Sequence, residues 1–140
     1  MTSKNSFRVT FHVSHPFIDA QEVEVGIAMS PHFSQSVGCT KKTKSGKPLK
    51  GAYTKTNVSF RIHEDPLNFD EYCIESIINE NLNNLDSSYL KLLNDTGGEC
   101  HYLLGIFSSE NVMFEFSADL LARLSKSKVK VKFDFYGGED

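Results

Sequence analysis

At 140 residues, 39% hydrophobic and 24% charged, the chain has the length and composition of one globular domain with its own core. A net charge of −3 selects no class of partner, and no apolar run approaches the roughly 18 residues of a membrane-spanning helix. The three cysteines, Cys39, Cys73 and Cys100, are odd in number and without a CxxC spacing, which suggests neither a zinc knuckle nor a disulfide framework.

Residues 6–14 alternate, with Phe7, Val9, Phe11 and Val13 on one side and Arg8, Thr10, His12 and Ser14 on the other. That period of two predicts a strand with one buried face. His15-Pro16 ends it, because proline cannot donate to a ladder. Asp19 and Glu22 have the spacing of a capping box and open a short helix to about Met29, with Ala20, Val23 and Ile27 inward. Gly26 and two valines weaken that helix.

Residues 30–56 are punctuated by Pro31, Gly38, Gly46, Pro48 and Gly51, so regular structure is expected to be sparse. Within them, 38–56 read as a basic irregular loop. From Val37 to Arg61 there are six lysines and one arginine and no acid. Val58, Phe60 and Ile62 then alternate with polar residues and predict a second strand.

Residues 63–99 reverse the charge, with nine acids against Lys91 alone. Asn68, with Glu71 three residues on, predicts the start of a helix carrying Phe69, Cys73, Ile74, Ile77 and Ile78 inward. Asn81 to Asn84 break or bend it. Asp86 or Ser87 opens a further helix with Tyr89, Leu92 and Leu93, closed by Gly97-Gly98. Cys73 and Cys100, both in apolar segments, read as small buried hydrophobes.

The last third reads most clearly. Residues 100–107 are an apolar strand, 116–124 a capped amphipathic helix, and 129–135 an alternating strand. Residues 137–140 form a polar tail. Four strands interleaved with helices predict a single α+β domain over 1–140. Its form is a ferredoxin-like, split β-α-β sandwich, with a four-stranded, mainly antiparallel sheet and helices mostly on one face.

No constellation of catalysis emerges. Cys100 and His101 are adjacent and would point to opposite faces of a strand. The histidines lack ligand spacing such as HExxH, and no nucleophile elbow is present. An enzyme, a cofactor and a metal are therefore not expected. Two charged surfaces remain. The acidic segment offers Glu64, Asp65, Asp70, Glu71, Glu75 and Glu80 to a basic protein partner, whose approach opposite charge would steer. The alternative is an anion site on the open sheet face and lysine-rich loop, formed by Arg8, Arg61, Lys41, Lys42, Lys44 and Lys130, for a nucleic acid or small ligand. The outward residues of the first, second and last strands include no Phe, Tyr or Trp, so nucleic acid is the weaker expectation.

The apolar strand, Phe116-Ser-Ala-Asp-Leu-Leu-Ala-Arg-Leu124 and Val131-Lys-Phe-Asp-Phe-Tyr-Gly137 together resemble a bacterial family catalogued as a domain of unknown function, number four-two-seven-nine. The early strand, the Asp19 helix, the basic loop and the strand at 58–62 fit it too, so the resemblance covers nearly the whole chain. Members often carry a Trp near the middle strand, and this chain has none. The resemblance implies a bacterial, soluble, single-domain protein with no assigned activity. Small domains of that class are frequently immunity proteins beside secreted toxins. The expectation is thus a non-enzymatic immunity protein that masks a toxin through its acidic helical surface. With no apolar signal region ahead of the first strand, it is expected in the cytoplasm.

Overall fold

The computed structural model describes residues 5–137. In chain order the elements are β1 (Ser6–His15), α1 (Ala20–Ile27), β2 (Phe33–Gln35), β3 (Thr40–Lys42), β4 (Pro48–Ala52), β5 (Thr56–Arg61) and β6 (Leu67–Asn68). There follow α2 (Ile74–Asn84), α3 (Ser87–Asp95), β7 (Glu99–Ser108), α4 (Ala118–Lys126) and β8 (Val129–Gly137). The α+β class holds, but the main sheet has six strands rather than four. Its order is β2-β5-β1-β7-β8, with β6 also paired to β1, and β3-β4 form a separate two-stranded sheet.

The alternation in β1 does what its period demands. Phe7, Val9, Phe11 and Val13 are fully buried and face Val58 and Phe60 of β5 and Cys100, Tyr102, Leu104 and Ile106 of β7. The helices close this face with Val23, Ile27, Ile78, Leu93, Leu120 and Leu124. Burying a side chain of that size contributes about 1.5–3 kcal/mol, so this one layer holds the domain together. Inside it, the Tyr102 hydroxyl donates to Asn81 Oδ1 at 2.6 Å, which satisfies both buried polar groups.

The connectivity is not a split β-α-β. Strands β7 and β8, joined by α4, are direct neighbours in parallel register from Cys100↔Val129 to Ser108↔Gly137. In a split unit a third strand would lie between them. Both β5 and β7 pair antiparallel with β1, which therefore lies inside the sheet.

The helix boundaries follow their caps. Asp19 Oδ1 accepts from the Glu22 amide at 2.8 Å, and α1 ends at Ala28 in the left-handed region (φ 62°). Asp86 caps α3 through the Ser88 and Tyr89 amides, and Ser117 caps α4 through the Leu120 amide. The Asn68 start fails. Asn68 Oδ1 accepts from the Asp70 amide two residues on, an Asx turn, and α2 begins only at Ile74. Cys73 is consequently its exposed N-cap rather than a buried residue, whereas Cys100 is buried as expected. The break expected at the asparagines 81–84 falls at the last of them, since α2 runs through Asn81 and ends at Asn84. Leu92 lies outside the core, and Leu90 takes the inner place. The basic segment 38–56 is not irregular, since it carries the β3-β4 hairpin. Of the polar tail, residues 138–140 lie outside the described residues.

Candidate functional site

The sheet face opposite the helices is built by the even-numbered residues of β1 and their neighbours. One row crosses five strands: Phe33, Ser59, His12, His101 and Lys130. The next is Arg61, Thr10, Leu103 and Lys132, and beyond it lie Arg8, Gly105 and Asp134. His12 and His101 stack at 4.9 Å between ring centroids with planes 10° apart. Ser59 Oγ lies 2.8 Å from His12 Nδ1. Partial burial, with the nearby Lys132 ammonium, lowers both histidines, His101 to about 4. Phe107 and Tyr136 form a second stack at 4.9 Å and 15°. Phe107 folds over Gly105, where a Cβ would meet its ring at 3.4 Å.

This face therefore carries aromatic rings that sequence reasoning missed. Phe107 lies on a strand apolar on both faces, so its outward direction has no local signal. Tyr136 and Phe33 lay beyond the expected strands. Of the anion candidates, Arg8, Arg61 and Lys130 share this face. Lys130 is held by Glu99 at 2.6 Å, and Arg8 Nη1 donates to the Glu64 carbonyl at 3.0 Å. Lys41, Lys42 and Lys44 stand apart on the exposed β3-β4 hairpin, which pairs with no strand of the main sheet.

The acidic candidates divide. Glu64, Asp65, Asp70 and Glu71 ride on one excursion between β5 and α2, and all four are exposed. The excursion is pinned at several points. The Val9 amide donates to His63 Nε2 at 3.3 Å, so Nδ1 carries the proton and donates to the Asp65 carbonyl at 2.6 Å. Strand β6 pairs with Ser6 and Phe7, and the Phe69 ring packs on Phe7 at 4.9 Å. Exposed Tyr72 follows directly after Glu71. Among the described residues, none of these four carboxylates forms an ion pair. Glu75 is committed elsewhere. It accepts from the Ser117 amide and hydroxyl at 2.5 and 2.7 Å, ahead of α4. Glu80 is exposed farther along α2, away from the excursion in sequence.

Two further features had no sequence signal. A cleft of about 520 Å³ between α3 and α4 has an apolar floor of Leu82, Leu85 and Leu90 under Arg123 and Lys128. Arg123 is held there by Asn79 and Asn83. On the helix side of β8, Phe133 and Phe135 remain 47% and 67% exposed and continue a chain of rings through Phe114 and Phe116. Among the described residues, no group of three or more His, Cys, Asp or Glu is placed to hold a metal ion, and no helix is long and apolar enough to cross a membrane. Comparison with protein-family models, curated proteins and solved structures returns no match.

Proposed function

We propose that this chain is a non-enzymatic immunity protein of the bacterial family it resembles, acting in the cytoplasm and masking a basic toxin domain. The binding surface is the excursion carrying Glu64, Asp65, Asp70 and Glu71, with Tyr72 as its aromatic anchor. The observation that supports this reading is the pinning, by β6, His63 and Phe69, of four carboxylates on one short segment that form no ion pair among the described residues. A preorganised charged surface loses little on binding, and an exposed tyrosine among charges has the make-up of an interface hot spot. Glu75, already bound to Ser117, belongs to the fold rather than to this surface.

The test is affinity for a purified cationic toxin domain encoded beside this chain. Wild type should bind one to one, with affinity that falls as salt rises. The fourfold variant Glu64→Gln, Asp65→Asn, Asp70→Asn, Glu71→Gln should weaken binding by roughly a hundredfold and flatten the salt dependence. Unchanged affinity in that variant removes the reading.

The two ring stacks favour a second reading, an anionic ligand such as single-stranded nucleic acid on the open sheet face. In that case Arg61→Ala and Lys132→Ala would reduce oligonucleotide binding, while the acidic variant would leave it unchanged.

A further inference from the structure

Strand β8 closes one end of the main sheet, and among the described residues nothing pairs with its outer edge. It is nine residues long, and its helix-side residues Phe133 and Phe135 are exposed. A long, exposed apolar edge is a template for another strand. The sequence of β8, Val-Lys-Val-Lys-Phe-Asp-Phe-Tyr-Gly, says which strand fits it.

We propose that β8 pairs antiparallel with β8 of a second copy, about a two-fold axis through Phe133. Phe133 is the midpoint of Val129–Gly137, so this register alone pairs the strand over its full length. On the open face it sets Lys132 opposite Asp134 of the second copy, and Asp134 opposite its Lys132. On the helix face it sets Phe133 against its own copy and Val131 against Phe135. Opposed residues of an antiparallel pair lie about 4.5–5.5 Å apart, close enough for each pair to interact. Side-chain direction forbids a slip of one residue, which would place open-face residues opposite helix-face ones. A slip of two centres the axis on Lys132 or on Asp134 and sets that charge against itself. The charge pattern thus favours one register, and an isologous contact of this kind closes as a dimer instead of propagating. The second copy would cover the exposed Phe133 and Phe135 and join two six-stranded sheets into one. The excursion proposed to bind a toxin lies between β5 and α2, and its Phe69 ring meets Phe114, which in turn touches Phe133.

Sedimentation velocity from about 10 μM to about 1 mM tests this, over the range in which a modest interface associates. Wild type should shift toward twice the 15.7 kDa monomer mass as concentration rises. Asp134→Lys alone and Lys132→Asp alone each set like charges opposite one another at two places. Each should weaken association by roughly tenfold or more. Mixed together, the two variants are complementary in this register and should form a heterodimer. The double exchange within one chain should restore the homodimer. Circular dichroism confirms that each variant is folded. Amide exchange on wild type supplies a readout free of substitutions, since the outward-facing β8 amides should gain protection with concentration. A wild type monomeric throughout overturns the proposal. So does a dimer indifferent to both reversals.

Discussion

Single residues decide more in this protein than their types suggest. Gly26 sits in the last turn of α1, and within a helix alanine is normally better by about 0.8–1 kcal/mol. Here a Cβ would lie 2.2 Å from the ring of Tyr89, whose hydroxyl donates to the Glu22 carbonyl. The ring must swing out to admit a methyl group. Gly26→Ala should therefore lose about 1–3 kcal/mol, measured by urea denaturation. Combined with Tyr89→Ala, it should lose less than the sum of the two single changes, because the clash is gone. His15 acts through its neutral form. Its Nδ1 accepts from the amides of Phe17 and Ile18, and Nε2–H donates to Thr96. Burial lowers its pKa, as it lowers those of His12 and, to about 4, His101. In the unfolded chain these groups take protons near 6.5, in the folded protein only at lower pH. Between those values the unfolded state binds more protons, so stability is complete above about 6.5 and falls with decreasing pH. The urea midpoint should drop from pH 7 to pH 4.5, and His101→Gln should remove part of the slope. A midpoint independent of pH across that interval would contradict neutral histidines at these buried and half-buried positions.

At the scale of elements, α4 depends on a partner from another helix. Ser117 caps it through the Leu120 amide, and Glu75 of α2 receives the Ser117 amide and hydroxyl. A carboxylate at that end also opposes the positive pole of the helix. Glu75→Ala should cost about 0.5–2 kcal/mol, and Ser117→Ala a similar amount. Because both act on one cap, the double change should cost clearly less than their sum. Additive costs would show that the two act separately. The same acid read as a binding residue in the sequence, since its neighbour ahead of α4 lies 42 positions away. The short strands were hidden for a related reason. Elements of two to five residues, such as β2, β3, β4 and β6, span too few positions to show a period. They form because β1, β5 and one another supply their ladders.

At the scale of the molecule, charge is separated by the topology. The acidic excursion leaves the sheet where β1 begins, and the basic hairpin stands on its own between β2 and β5. Net charge of −3 conceals that separation. Salt should therefore affect binding of a cationic partner strongly and folding stability weakly, because the two ion pairs among the described residues, Lys91–Asp95 and Lys130–Glu99, are exposed. Denaturation at low and high salt, set beside the binding measurement, checks this contrast.

Sequence by itself determined the local order of this protein. Alternation named the inner residues of β1, and capping residues named the starts of α1, α3 and α4, because both signals lie within a few positions of chain. Only the tertiary structure decided which strands are neighbours. Pairing of His12 with Ser59 and His101 spans most of the chain, and no local pattern encodes it. From that pairing follow the six-stranded sheet, the two ring stacks on its open face and the unpartnered edge at β8. The acids divided for the same reason, since whether a carboxylate caps a helix or meets solvent depends on what the fold brings beside it.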